Sequence, residues 1–220
     1  MWNPAEISED WLRLHSSPIQ EILQHIEQDT ARQFPEAVHM LSGFAQGRLL
    51  SLLSKLSKPG RILEIGTFTG YGTICLAEGL RENGLIFTIE KNDSYAAMAE
   101  TSFAQSSSEK KIRLLKGNAL NILATLQEKW DLIYLDADKA ANKEYLMQLW
   151  PKVNPGGLVL IDNVFARGGI MKPEQEQRNF EKAVQKLNTE IPELYPDLDQ
   201  FILPIRDGLS ILRKKSDKAS

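Results

Sequence analysis

The sequence predicts a doubly wound α/β fold: a mostly parallel sheet with helices on both faces and an antiparallel C-terminal hairpin at its edge. Three observations carry this. Short apolar runs at residues 61–65, 85–89, 112–115, 131–135 and 158–161 alternate with helix-length stretches at 71–81, 93–105, 118–127 and 143–153. Alternation at that spacing makes right-handed βαβ units and a parallel sheet. Two further strands, 200–203 and 209–212, face each other across Arg206-Asp207-Gly208, the tight connection of a hairpin. Ahead of the first run, residues 1–58 read as helical and rather polar.

Ile7, Trp11, Leu12, Leu14, Ile19, Ile22, Leu23 and Ile26 are spaced for two short amphipathic helices, interrupted at Pro18. A third helix runs from about residue 43 to 56 and stops at Lys58-Pro59-Gly60. These segments form an N-terminal helical cover, 1–58, belonging to the same domain as the core at 59–220. A charged helix follows Gly168-Gly169 at 173–189, and the tail from 214 to 220 is expected to fray.

Composition removes several function classes. With 220 residues, 42% of them hydrophobic, the chain can bury a sizeable core. Its 26 basic against 29 acidic residues give no electrostatic footprint for nucleic acid. A lone cysteine, Cys75, excludes an internal disulfide and a thiolate cage for zinc. No stretch approaches the roughly 18 apolar residues of a membrane span. The start, Met1-Trp2-Asn3-Pro4, lacks the basic-then-apolar pattern of a secretory signal. A cytoplasmic protein with no nucleic-acid and no membrane partner is expected.

In such sheets ligands sit at the carboxyl ends of the strands, beside the point where strand order reverses. The first strand ends Glu64-Ile65-Gly66-Thr67-Phe68-Thr69-Gly70-Tyr71. A dinucleotide fingerprint needs a glycine where Phe68 stands, so the loop suits a nucleoside better than a pyrophosphate. The second strand delivers Glu90, placed to accept hydrogen bonds from ribose hydroxyls or simply to face solvent. The third runs into Gly117-Asn118-Ala119, either a resting place for an adenine ring or an ordinary turn.

The next two strands speak more sharply. One ends in Asp136-Ala137-Asp138-Lys139 and the other in Asp162-Asn163. Neighbouring strands lie about 4.8 Å apart, so Asp136, Asp162 and Asn163 can converge. Two carboxylates and an amide oxygen form a hard set suited to Mg²⁺, Mn²⁺ or Ca²⁺. The plain alternative is that both aspartates cap the following helices. Lys139 stands three residues beyond Asp136, at the mouth of the same cleft. Beside a divalent cation and partly desolvated, a lysine can serve as a base; without the cation it is an ordinary surface lysine.

With these residues assembled, the chain resembles the cation-dependent S-adenosylmethionine O-methyltransferases. That group includes catechol O-methyltransferase, plant caffeoyl-CoA O-methyltransferases and small bacterial relatives. The resemblance extends over residues 40–215 and rests on four blocks: Leu63-Glu64-Ile65-Gly66-Thr67-Phe68-Thr69-Gly70-Tyr71, Asp136-Ala137-Asp138-Lys139, Gly156-Gly157-Leu158-Val159-Leu160-Ile161-Asp162-Asn163-Val164 and Leu203-Pro204-Ile205-Arg206-Asp207-Gly208-Leu209. It implies a Rossmann-like methyltransferase sheet and methyl transfer from S-adenosylmethionine to a small catechol-like hydroxyl acceptor, free or CoA-linked.

The same resemblance implies roles. Glu64, Gly66, Thr67, Tyr71 and Gly72 would surround the methionine part of the cofactor, and Glu90 would hold the ribose. Gly117, Asn118 and Ala119 would border the adenine, while Met40 and Ser42 would close over the sulfonium. Asp136 and Asp138 would also lie on the cofactor side. Asp136, Asp162 and Asn163 match the metal ligands, with Mg²⁺ the first expectation, and Lys139 matches the general base. A homodimer is implied as well. Two departures stand out: Asn142 where relatives carry tyrosine, and Ala166 near a usual tryptophan, both on the acceptor side. They imply a wider or more polar acceptor pocket.

Competing readings are an NAD-linked oxidoreductase, opposed by Phe68, and a nucleic-acid methyltransferase, opposed by the charge balance. A non-catalytic S-adenosylmethionine-binding module is a third, opposed by the presence of Asp136, Lys139, Asp162 and Asn163 together. His15, His25 and His39 read as surface residues and Cys75 as core.

Overall fold

A computed structural model describes residues 8–216. The expectations for Trp2, for the opening of the first helix and for the last four residues of the tail lie outside them. The helices are α1 (Glu9–Leu14), α2 (Glu21–Gln33), α3 (Gly43–Ser57), α4 (Tyr71–Ala77), α5 (Asp93–Ala104), α6 (Ala119–Leu123), α7 (Asn142–Leu149) and α8 (Asn179–Leu194). The strands are β1 (Arg61–Ile65), β2 (Leu85–Glu90), β3 (Ile112–Lys116), β4 (Trp130–Leu135), β5 (Val153–Asp162), β6 (Leu198–Leu203) and β7 (Leu209–Lys214). They form one seven-stranded sheet in the order β3-β2-β1-β4-β5-β7-β6. The first five pair in parallel, and β7 is antiparallel to both neighbours. The expected hairpin is present, with β7 inserted beside β5 and β6 at the edge.

Both faces of the sheet are buried, which is why its central strands read as unbroken apolar runs. On one face Ile62, Ile86, Leu132 and Leu160 pack with Ile22, Leu23, Ile26, Leu50 and Ile74, so the N-terminal helices share a core with the sheet. On the other, Leu63, Ile65, Ile133, Leu135 and Ile161 pack with residues of α6, α7 and α8. Cys75 lies in the first core, while His15, His25 and His39 are exposed, as expected.

Several boundaries differ, each for a local reason. α2 continues to Gln33 and leads into a 3-10 turn, Pro35–Met40, that no apolar periodicity announces. α4 stops at Ala77 instead of 81, and Gly79 lies so close to α3 that a Cβ there would come 2.1 Å from the Ser54 carbonyl carbon. α6 is a single short turn. α7 yields at Trp150-Pro151 to a 3-10 turn, and β5 begins at Val153, so Pro155-Gly156-Gly157 is strand rather than loop. A register shift between Trp130 and Leu132 accommodates that segment. α8 starts at Asn179, six residues late, and runs to Leu194 with Pro192 in its last turn. β7 extends to Lys214, and the Lys215 amide donates to the Asp197 carbonyl at 3.0 Å, so the tail is ordered further than expected.

The long connection from β5 to α8 is locked at its base by Glu181, which has no exposed surface. Its carboxylate accepts from the Arg178 amide at 2.6 Å, from the Arg178 guanidinium at 2.6 and 2.9 Å, and from Lys172 at 3.1 Å. Arg178 chiefly, with Lys172, holds this carboxyl down at about 2. An unfolded glutamate titrates near about 4.3, so the stabilisation is complete above that pH and is lost as pH falls through about 2. Glu181→Gln is therefore expected to lower the thermal midpoint at pH 7 and to converge on the parent in strong acid. Equal midpoints at pH 7 would show that the lock contributes nothing.

Candidate active site

Period-two alternation and strand register assemble the site. Glu64 pairs in register with Thr88 on one side and Tyr134 on the other, and Tyr134 pairs with Leu160. Side chains two residues apart share a face. Glu90, Asp136 and Asp162, each two residues beyond a member of that row, therefore project from the same face near the strands' carboxyl ends. The order of strands reverses between β1 and β4, so the loops leaving those strands frame a crevice.

The loop after β1 crosses the loop after β4 closely. Gly66 adopts φ +106°, and a Cβ there would lie 2.2 Å from the Asp136 carbonyl oxygen; only glycine fits. Behind this crossing Glu64 is buried. Its Oε2 accepts hydroxyls from Thr73 and, at 2.6 Å, from Thr88. Its Oε1 lies beside Gly72, where a Cβ would come within 2.9 Å. Burial pushes the Glu64 carboxyl up to about 8, against the pull of the two threonines. Met40, Leu41, Ser42, Glu64, Gly66, Thr67, Phe68, Tyr71, Gly72, Tyr134 and Asp136 line a single pocket. That brings seven of the expected cofactor residues together with Asp136.

The others are placed less tellingly. Glu90 accepts the amides of Phe68 and Asn92, each at 2.8 Å, so it fixes the glycine loop from below. Asn118 is exposed and caps α6 through the Asn121 amide at 3.3 Å, with Gly117 before it and buried Ala119 after it. Asp138 is exposed and caps the turn at Lys139–Ala141. The Tyr71 ring is buried at the pocket wall, but its hydroxyl has no hydrogen-bond partner among the described residues.

Asp136 and Asp162 do converge. The Tyr134 hydroxyl lies 3.2 Å from Asp136 Oδ2 and 3.1 Å from Asp162 Oδ2, bridging the two carboxylates. Gln46 Nε2 donates to the Tyr134 hydroxyl at 2.8 Å and to Asp162 Oδ2 at 2.7 Å. Asp162 Oδ1 accepts the Asn163 amide at 2.7 Å, and Asn163 itself is half-buried with φ +59°. Lys139 Nζ donates to Asp136 Oδ1 at 2.8 Å. Burial raises the Asp136 carboxyl, as does repulsion from Asp162, while Lys139 opposes both. Gln46 and Tyr134 were not legible as site residues; each reads as one more position on a buried face.

Asn142 and Ala166 are both 2% exposed. Both positions are buried, and the wider or more polar acceptor pocket stays an expectation. The Asn142 Oδ1 atom has no hydrogen-bond partner among the described residues.

No group of three or more His, Cys, Asp or Glu side chains among the described residues is placed to hold a metal. The donor chemistry nonetheless fits a hard cation. Two close carboxylates face a single ammonium, leaving net negative charge in a desolvated crevice. Such a pair is favoured by an added positive charge. Asn163, directly after β5, carries an amide oxygen of the same hard type.

A doubly wound sheet with this strand order, a glycine loop over a buried acid and a pocket at the switch point define a Rossmann-like methyltransferase. Comparison with known proteins agrees. A family model described as O-methyltransferase matches residues 13–215, and the chain belongs to that family. The chain is 34% identical over 144 residues to a catechol O-methyltransferase of Niastella koreensis, covering 64% of this chain and 63% of that protein. It is 27% identical to a caffeoyl-CoA O-methyltransferase of Populus kitakamiensis, covering 88% and 86%. The O-methyltransferase TomG of Streptomyces achromogenes, solved with SAM, superposes with a TM-score of 0.85 at 27% identity over 94% of this chain and 96% of that one. The chain spans 63%, 53% and 58% of the length of three curated relatives it matches. No helix among the described residues is long and apolar enough to cross a membrane.

Proposed function

We propose that the protein transfers a methyl group from S-adenosylmethionine to a hydroxyl of a small catechol-like acceptor, with a divalent cation held by Asp136, Asp162 and Asn163. The observation that carries this is the meeting of Asp136, Asp162 and Lys139 beside the pocket that Glu64 lines. Family membership supports the reaction class, and the catechol and caffeoyl-CoA enzymes among the relatives support the acceptor class.

A bound cation would supply Lewis acidity, making a phenol of ordinary pKa about 10 easier to ionise. The chain's own residues do the rest. Tyr134 and Gln46 fix the two carboxylates, so the acceptor meets a rigid floor. Glu64 would face the ammonium of the methionine moiety, and residues 40–42, in the same pocket lining, would cover the sulfonium. A cation on Asp136 would release Lys139 Nζ from its present ion pair, and the amine, having lost its own proton to solvent, would take the proton of the attacking hydroxyl. Displacement at the methyl carbon is in line, and alignment of the two reactants is where such a site gains most of its rate.

Solution as a homodimer in the cytoplasm completes the reading. Exposed Leu52 and Leu56 on α3 and Trp11 and Leu14 on α1 support self-association. The test of function is direct: incubate the protein with S-adenosylmethionine, Mg²⁺ and a catechol, and look for the methyl ether by mass spectrometry. A protein that binds the cofactor but methylates no vicinal diol would return it to the non-catalytic reading.

A further inference from the structure

Arg206 stands in the turn between β6 and β7, far in sequence from the pocket, yet its guanidinium reaches the pocket's roof. Nη1 donates to the Leu41 carbonyl at 2.6 Å and to the Ser42 carbonyl, and Nη2 donates to the His39 carbonyl at 3.2 Å. Three carbonyls of the cover, those of His39, Leu41 and Ser42, thus hang on one side chain. Met40, Leu41 and Ser42 line the pocket together with Glu64 and Gly66. The space they enclose is about 10 Å³, room for about one water. A nucleoside-sized ligand needs more room than the pocket offers here.

The same turn also grips the loop that leaves β5. The Asp207 side chain accepts the Arg167 amide at 2.7 Å, its carbonyl accepts the Phe165 amide at 2.9 Å, and the Gly208 carbonyl accepts the Val164 amide at 3.2 Å. That loop is held against its own backbone preference, with Asn163, Ala166 and Arg167 all at positive φ. The turn is therefore an anchored post, and Arg206 is the arm that extends from it to the cover.

We propose that Arg206 is a positioning residue that latches residues 39–42 shut over the bound methyl donor and so sets the donor's rate of escape. This rests on the proposed reading of the pocket as the S-adenosylmethionine site. A latch of this kind changes the fraction of time the cover is closed, and affinity follows that fraction. Charged hydrogen bonds to carbonyls are strong enough for their loss to matter about tenfold or more. Arg206 itself sits at φ +50°, so alanine, lysine and arginine carry the same backbone cost there and differ only in the side chain.

The experiment measures S-adenosylhomocysteine affinity and dissociation rate for the parent, Arg206→Ala and Arg206→Lys, together with hydrogen exchange of the 39–42 amides in the complexes. Arg206→Ala is expected to raise the dissociation rate and the KM for S-adenosylmethionine by about tenfold or more, with kcat at saturation changed less than about threefold. Arg206→Lys should fall between, because one ammonium replaces a fork that spans three carbonyls. Exchange at 39–42 should quicken in the same order. If Arg206→Ala does not fold, the lysine variant carries the test, and a parental dissociation rate in it would overturn the latch. A folded Arg206→Ala with parental dissociation and exchange would overturn the latch alone. Absence of any binding by the parent would instead overturn the cofactor reading, and the latch with it.

Discussion

Turnover of Lys139→Ala is expected to fall by about 10²-fold or more while its affinity for S-adenosylmethionine stays near that of the parent. The separation follows from place. Lys139 Nζ contacts Asp136 Oδ1 at the mouth of the crevice and does not line the pocket that holds Glu64 and Gly66. Removing a base should cost the proton-transfer step and leave donor binding intact. Steady-state kinetics paired with calorimetric titration of the cofactor read both quantities. Parental turnover would remove Lys139 from the mechanism. A matching loss of cofactor affinity would make it a structural partner of Asp136 instead.

Glu64→Gln is expected to weaken S-adenosylmethionine binding by about 100-fold or more, since it removes the buried negative charge that would pair with the donor's ammonium. Protonation gives a second readout. Burial holds the Glu64 carboxyl at about 8, so the free protein carries a proton there at pH 7. A cation brought against it favours the carboxylate and expels that proton. Titrations in buffers of different ionisation enthalpy should show close to one proton released at pH 7 by the parent and none by the variant. The same shift works on stability. An unfolded glutamate titrates near about 4.3, so the folded form is favoured fully below that pH. The contribution is lost as pH rises through about 8, and Glu64→Gln should flatten that decline. Proton release that persists in the variant would place the titrating group elsewhere.

Much of the sheet was legible because buried parallel strands announce themselves as apolar runs, and the carboxylates that end them were legible for the same reason. Asp136 and Asp162 follow Leu135 and Ile161 directly, so finding the strands found the acids. What escaped depends on contacts between distant segments. Gln46 looks like a polar residue on an amphipathic helix until α3 packs across the sheet and turns it onto Asp162, 116 positions away. Arg206 looks like a turn residue until the hairpin swings it to Leu41 and Ser42. Tyr134 is read as core by its neighbours Ile133 and Leu135, and its hydroxyl becomes visible only when Asp136 and Asp162 flank it. Pro155-Gly156-Gly157 misled in the opposite way: its residues favour turns, yet they continue β5 as the irregular stretch between the pairs Trp130–Val153 and Leu132–Leu158.

The central claim is that Asp136, Asp162 and Asn163 hold a divalent cation that methyl transfer requires. The most direct measurement is methylation of a catechol by protein stripped with EDTA and dialysed, assayed with S-adenosylmethionine before and after Mg²⁺ is returned, beside Asp162→Ala treated identically. The stripped protein is expected to give no product, to recover with Mg²⁺, and to show no recovery as Asp162→Ala. Full activity in the stripped parent, or Mg²⁺ stimulation surviving in Asp162→Ala, would contradict that claim.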